Sequence, residues 1–463
     1  MAVSIFSRLT TVVDLLELSV CNDVYINRQL LLSVILGWTV LVLKIFNKKQ
    51  AGGFCDGLDR RDFLQIGGGG LGALSLPSLL RAESTAVGSN ADKAVIHLHL
   101  AGGPSHQDMF DLKPDAATEF RGEFNPIHTN VPGLDICEHM PLLSTMADRY
   151  AVVRSLVGMQ NSHSHFHTST GYDKRNLSNV GGRPYFGSVI ARIQGTTETG
   201  APPYISYMGG EPGYLGPVYR PYKPSGTDLK LRSISEERLS DRRKLLGSLD
   251  QIRRDIDSSG QLEALDSYTQ QAADLVTSGT VADALDLKLE DPDTVTRYGN
   301  KYSNLLIARR LIEAGTRVVT IQSGGWDTHS NNFKSLKDRL TELDMGVSAL
   351  LTDLADRGLE QDVTLIVWGE FGRTPRVNSK AGRDHWPRLA MAFLAGGGMR
   401  LGQAIGTSSK NAEYAKDRPV HFQEVIATLY HNMGINCETA QLVDPNGRPQ
   451  YLLDHRQPIA ELV

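Results

Sequence analysis

Five short apolar runs recur along the chain beyond residue 90, and they set the first expectation of its fold. Ala94 to Leu100 (Ala-Val-Ile-His-Leu-His-Leu) ends at Gly102-Gly103-Pro104, so it reads as a strand delivering the chain into a loop. Tyr150 to Val153, Arg317 to Gln322, Val363 to Trp368 and Leu389 to Leu394 have the same character. Between the Arg317 and Val363 runs the pattern becomes helical. Leu336, Leu340, Leu343, Val347, Leu350 and Leu354 fall at spacings of three and four within Phe333 to Arg357, which predicts an amphipathic helix. Asn304 to Ala314 predicts another helix, closed by Gly315 and feeding the strand at Arg317. Such alternation predicts an α/β fold with a central, mostly parallel sheet flanked by helices. Ser233 to Val276 is charged and helical in pattern, an expected helical insertion covering one side. The chain carries no internal repeat and no low-complexity linker, so residues 83–463 are expected to form one domain.

The segment before that domain has a different logic. Asp59-Arg60-Arg61-Asp62-Phe63-Leu64-Gln65 sets two arginines before the uncharged, glycine-rich run Ile66 to Leu80, which ends in Arg81-Ala82. This is the order of parts of a twin-arginine signal peptide over residues 59–82, too short and too weakly apolar to span a bilayer of about 30 Å. It implies the twin-arginine export machinery as a partner and a periplasmic or otherwise exported destination. Residues 1–58 form an N-terminal extension, expected to be either a mis-assigned start or an anchor. A membrane partner is implied only if Leu30 to Leu43, closed by Lys44, Lys48 and Lys49, is a real anchor.

Charge adds little: 48 basic against 52 acidic residues and 41% hydrophobic content describe an ordinary globular chain, with no sign of a nucleic-acid partner. Beyond the leader only Cys137 and Cys437 remain, which allows at most one disulfide and excludes a cysteine metal cluster.

The polar clusters fall just after the predicted strands, where functional residues of open α/β sheets gather. His106, Asp108 and Asp111 follow the first strand, and Ser162-His163-Ser164-His165-Phe166-His167 follows the second. Trp326-Asp327-Thr328-His329 follows the third, and Gly369-Glu370-Phe371-Gly372-Arg373-Thr374 the fourth, with Arg383-Asp384-His385-Trp386 beyond it. Carboxylates and imidazoles from separate strand ends are ligands that zinc, manganese or calcium accept. The candidate ligands are Asp108, Asp111, His163, His165, Asp327, His329, Glu370, Asp384 and His385. Two metals would polarise a phosphate or sulfate ester, Arg373 would neutralise charge on an oxyanion, and Ser162, Ser164 or a water would attack. Structural readings stand beside these: Asp108 and Asp111 can cap the turn near Lys113-Pro114, Glu370 can pair with Arg373, and the histidines can line a solvated loop.

Together with the leader, Leu-Ala-Gly-Gly-Pro-Ser-His-Gln-Asp-Met-Phe-Asp-Leu-Lys-Pro (100–114), the histidine cluster before Thr170-Gly171, Trp-Asp-Thr-His (326–329), Gly-Glu-Phe-Gly-Arg-Thr-Pro (369–375) and Asp-His-Trp (384–386) resemble the domain-of-unknown-function family 1501. The resemblance covers essentially the whole mature chain. That family is similar in fold to the alkaline phosphatase and sulfatase superfamily, which implies a central sheet flanked by helices and, in active members, a two-metal ester-hydrolase site. Against that pattern, Gly102-Gly103 stands where the first strand ends in an aspartate, so Asp108 or Asp111 would have to reach back. Asp327 and His329 lie two positions apart rather than four, Glu370-Phe371 replaces an Asp-His pair, and Asp384-His385 resembles the final histidine site. Counting back nine residues from Thr170 to a nucleophile lands on Asn161, with Ser162 adjacent. The expected function is metal-dependent hydrolysis of sulfate or phosphate esters, the substrate a small molecule or a glycan ester. The alternatives are a non-catalytic periplasmic binding protein for sulfated or phosphorylated glycans, and a structural or export-coupled partner protein.

Overall fold

The computed structural model describes residues 93–197, 199–224 and 279–463. The segments expected to form the N-terminal extension, the twin-arginine leader and the Ser233 to Val276 insertion lie outside the described residues.

An eight-stranded sheet organises the chain. Its strands are β1 (Ala94–Leu100), β2 (Tyr150–Val157), β3 (Tyr204–Ser206), β4 (Val318–Ser323), β5 (Val363–Trp368), β6 (Ala390–Gly396), β7 (Gln403–Ile405) and β8 (Val420–His421). The spatial order is β7-β2-β6-β5-β1-β4-β3, with β8 also paired to β2. All pairings are parallel except those of β6, which runs antiparallel to both β5 and β2. The mostly parallel sheet expected from the alternating elements is therefore present. The strand expected at Tyr150 to Val153 runs on to Val157, and β6 is the one that reverses. Residues 369–389, which lead into β6, contain no helix. A parallel return needs a long crossover, usually a helix, so this link brings the chain straight back antiparallel.

Side-chain alternation on β1 assigns the layers. Ala94, Ile96, Leu98 and Leu100 enter one hydrophobic cluster, and Val95 enters the other. By the two-residue period, His97 and His99 share the Val95 face, and both are buried. The first cluster takes in α3 (Ser303–Glu313) and α4 (Asn332–Asp356), the second α2 (Phe186–Gln194) and α5 (Phe422–Asn432), with α1 (Phe166–Thr170) preceding α2. The leucine stripe read in the sequence is the buried face of α4: Leu336, Leu340 and Leu350 are fully buried. Helices on both faces of a parallel sheet leave its carboxyl edge as the natural place for a site. In register, Leu100 pairs with Ser323 and His99 with Trp368, so β1, β4 and β5 end together at that edge. Among the described residues, no helix is long and apolar enough to cross a membrane. Cys137 and Cys437 are separate buried thiols, and burial pushes both up to about 12.

Candidate metal centre

Backbone contact between neighbouring loops builds the site. Gly102 has φ +117°, and a Cβ there would lie 2.3 Å from the Asp327 nitrogen. Only glycine lets the β1 exit pass this close to the β4 exit. Gly102 donates its N–H to Glu370 Oε1 at 2.8 Å, which ties in the β5 exit as well. The Arg373 side chain is fully buried and donates to the carbonyls of Gly103 and Arg383 at 2.9 Å each, and also to the Gly102 carbonyl and Asp327 Oδ1.

Three imidazoles converge on Asp327 across these loops. His329 Nε2 lies 3.0 Å and His385 Nε2 3.2 Å from Asp327 Oδ1, the two nitrogens are 3.1 Å apart, and His163 Nε2 lies 3.4 Å from Asp327 Oδ2. Each ring is held from behind through Nδ1. His163 Nδ1 meets Glu370 Oε1 at 3.1 Å, His329 Nδ1 meets Asp384 Oδ1 at 2.6 Å, and His385 Nδ1 meets Asn161 Oδ1 at 3.0 Å. Ionised carboxylates and the amide oxygen only accept, so a neutral ring that keeps its proton on Nδ1 satisfies each of these contacts and turns its Nε2 lone pair inward. Bare nitrogens and a carboxylate at 3.0–3.4 Å repel one another unless a cation or proton lies among them. A tetrahedral ion with bonds of about 2.0–2.1 Å has ligand–ligand edges of about 3.3 Å, which matches this spacing. Imidazoles braced through the second nitrogen by a carboxylate or carbonyl are also how metal-binding histidines are usually oriented. His163, Asp327 and His385 each offer a ligand atom within 4.8 Å of the others.

The charge states suit the same use. Burial pushes the Glu370 carboxyl upward, but the contact and charge of His99 and the hydrogen bond from His163 outweigh it and hold it at about 2. For Asp327, burial is outweighed by Arg373, His385 and His329, which keep it below the usual carboxylate range. The bond from His329 holds Asp384 low. Burial, as the largest influence, lowers His385 and favours its neutral, ligating form. The Phe371 ring lies 4.3 Å from that of His385 and 5.2 Å from that of His163, forming an apolar floor.

Of the residues singled out from the sequence, the structure brings together His163, Asp327, His329, Glu370, Asp384 and His385. Within that group Glu370 and Asp384 face Nδ1 atoms, so they brace ligands rather than sit among the converging Nε2 atoms. His165 turns away, its ring 5.7 Å from those of His99 and Tyr185, and burial lowers it to about 4. Asp108 is fully buried in a two-pronged pair with Arg383, at 2.8 and 2.9 Å. Asp111 accepts from Lys113 at 2.9 Å and from Ser408. Both aspartates thus have their oxygens occupied by neighbouring side chains and lie outside the converging group. Arg373, a fully buried guanidinium tied to three carbonyls and Asp327, tethers the loops to one another. Ser164 Oγ accepts the Phe166 N–H at 3.2 Å, whereas Ser162 is exposed. Three residues were missed. Asn161 was set aside as a non-nucleophile and instead braces His385. Asn378 donates to the His329 carbonyl at 3.0 Å and to Asp384 at 3.3 Å. His99 was legible only as a polar residue inside an apolar strand.

Comparison with known proteins gives the chain its place. Among curated proteins, none matches this sequence. In structure it is similar to the PsFucS1 sulfatase from Pseudoalteromonas sp., with 12% identity over 77% of this chain and 73% of that one and a TM-score of 0.36. It is also similar to the alkaline phosphatase from the Antarctic bacterium TAB5, with 13% identity over 70% of this chain and 96% of that one and a TM-score of 0.29. These likenesses are distant and bring no activity with them. The family model described as "Protein of unknown function (DUF1501)" spans residues 92–463, the strands, loops and imidazole cluster included, and the chain belongs to that family.

Proposed function

We propose that this protein is an exported, metal-dependent hydrolase of sulfate or phosphate esters that works with one divalent cation, zinc best suiting the donor set. The observation that carries the reading is the convergence of the His163, His329 and His385 Nε2 atoms on Asp327, each ring braced through Nδ1. The three imidazoles and Asp327 would hold the ion, and a bound divalent cation supplies Lewis acidity toward an ester oxygen. The chain's own groups do the rest. Glu370, Asp384 and Asn161 fix the rings, Phe371 keeps one side apolar, and exposed Ser162, between Asn161 and His163, is the hydroxyl available to attack. Asp327 is 41% and His329 46% exposed, so a substrate reaches the cluster from solvent. Export rests on the Arg60-Arg61 leader.

One observation favours a second reading. The centre has Arg373 as its neighbouring cation, and that guanidinium is tied to carbonyls, so among the described residues no free arginine beside the imidazoles meets a developing oxyanion. A binding protein for sulfated or phosphorylated glycans needs no such group. Elemental analysis of the mature protein recovered from the export compartment, followed by a screen of sulfate and phosphate esters, decides. One equivalent of metal with turnover supports hydrolysis, and metal with glycan binding but no turnover supports the second reading. No metal after metal-replete recovery removes the centre.

A further inference from the structure

We infer that His99 is a positioning residue for the metal centre, acting through Glu370 on His163; this rests on the metal-centre reading above. His99 lies on β1 beside Trp368 of β5, on the strand face opposite Leu98 and Leu100, and is 1% exposed. Its Nε2 is 3.3 Å from Glu370 Oε2. That oxygen is buried and lies outside hydrogen-bond geometry with any described group, so the contact with His99 is its one ion-pair contact among the described residues. The other oxygen, Oε1, is held by Gly102 N–H at 2.8 Å and by His163 Nδ1 at 3.1 Å.

The carboxylate is thus gripped at both ends, and the two grips do different things. Oε1 orients His163, whose Nε2 faces Asp327. Oε2 sets the rotation of the carboxylate about its last bond, and among the described residues His99 is the polar group in contact with it. The His99 ring is itself confined: those of His97 and His165 lie edge-on at 5.8 and 5.7 Å, and His97 is fixed by the Trp368 Nε1–H at 2.9 Å. Behind Glu370, His167 Nε2 donates to its backbone carbonyl at 2.8 Å, so the main chain cannot follow a rotating side chain. A buried carboxylate left with one oxygen unopposed turns toward the nearest donor, and here that would pull Oε1 off His163. His99 therefore occupies a third tier of support, behind the ligand and behind its brace, where loss of an outer partner typically weakens metal binding about 10- to 100-fold.

The test uses the mature chain and its His99→Leu, His99→Gln and His99→Asn variants. Zinc affinity is measured by competition with a chromophoric chelator, and cobalt(II) is added separately to record its visible absorption. Removing the imidazole in His99→Leu should weaken zinc about 10- to 100-fold and change the cobalt spectrum, while the glutamine amide, long enough to reach Oε2, restores most of both. If His99→Leu does not fold, the pair of amides decides, because the shorter asparagine should bind zinc about tenfold more weakly than glutamine. Wild-type zinc affinity and cobalt spectrum in every folded variant would overturn the inference and leave the centre intact. Failure of the wild-type protein to take zinc or cobalt would instead remove the centre, and this inference with it.

Discussion

Replacing Arg383 by methionine is the sharpest test of how the site is held together. Arg383 is fully buried, and so is its partner Asp108. Its Nε and Nη2 reach the two carboxylate oxygens at 2.8 and 2.9 Å, and it donates further to the carbonyls of Thr374 at 3.1 Å, Phe120 at 3.0 Å and Pro375. Without it, Asp108 keeps only Ser105 Oγ at 2.6 Å and Asn332 Nδ2 at 2.9 Å as side-chain donors, two neutral groups facing a charge cut off from water. Breaking a buried pair from one side costs about 3–5 kcal/mol, and the three carbonyls that lose a donor place this case near the upper end. Asp108→Leu should cost a similar amount by leaving the guanidinium unopposed. The double variant removes both charges, so it should cost less than the sum of the singles by about 3 kcal/mol. Urea unfolding followed by far-ultraviolet circular dichroism yields all three values. Single losses under about 1 kcal/mol, or a double loss equal to the sum, would refute the assignment of Asp108 to a structural pair.

Asp384→Ala, which removes the brace on His329 but no inward-facing Nε2, should weaken zinc about 10- to 100-fold in the same chelator competition and leave the unfolding midpoint nearly unchanged. Gly102→Ala puts a methyl group 2.3 Å from the Asp327 nitrogen at φ +117°, so both thermal stability and metal content should fall, measured by calorimetry and elemental analysis. His106 supplies a pH dependence. Burial is the main cause that takes it from 6.5 down to about 4, so the unfolded chain binds this proton first as pH falls. Its contribution is full above pH 6.5 and is lost as pH drops toward about 4, a change of about 3 kcal/mol. His106→Phe should flatten that part of the urea-midpoint profile.

The sheet and its helices were readable because burial writes a period into the residues. Val363 to Trp368 was delimited at both ends by its apolar character, and the α4 stripe by leucines at three- and four-residue spacing. Strand direction leaves no such mark, which is why the run Leu389 to Leu394 reads as a strand, found at Ala390–Gly396, but not as the reversed one. In the site, the converging histidines were legible as clusters after strands. The division between inward-facing groups and those behind the rings was not, since Glu370 and Asp384 differ from Asp327 only in which imidazole nitrogen they face. The partners of Arg373 and Asp108 were hidden for a related reason: most of the carbonyls and the guanidinium that occupy them come from segments distant in sequence.

The reversal of β6 has a consequence for how this centre can change. Because β5 leaves the sheet and β6 re-enters it at the same edge, residues 369–389 form one excursion whose ends are pinned by the pairing of Trp368 with Ala392. That single stretch supplies His385, two of the three groups that brace the rings, and the apolar floor. It is a cassette: a relative could exchange it whole, altering the groups presented around Asp327, while the sheet beneath kept its register and the helices their contacts. Chimeras between family members cut at these two strand ends should fold as their parents do and carry the metal preference of the loop donor.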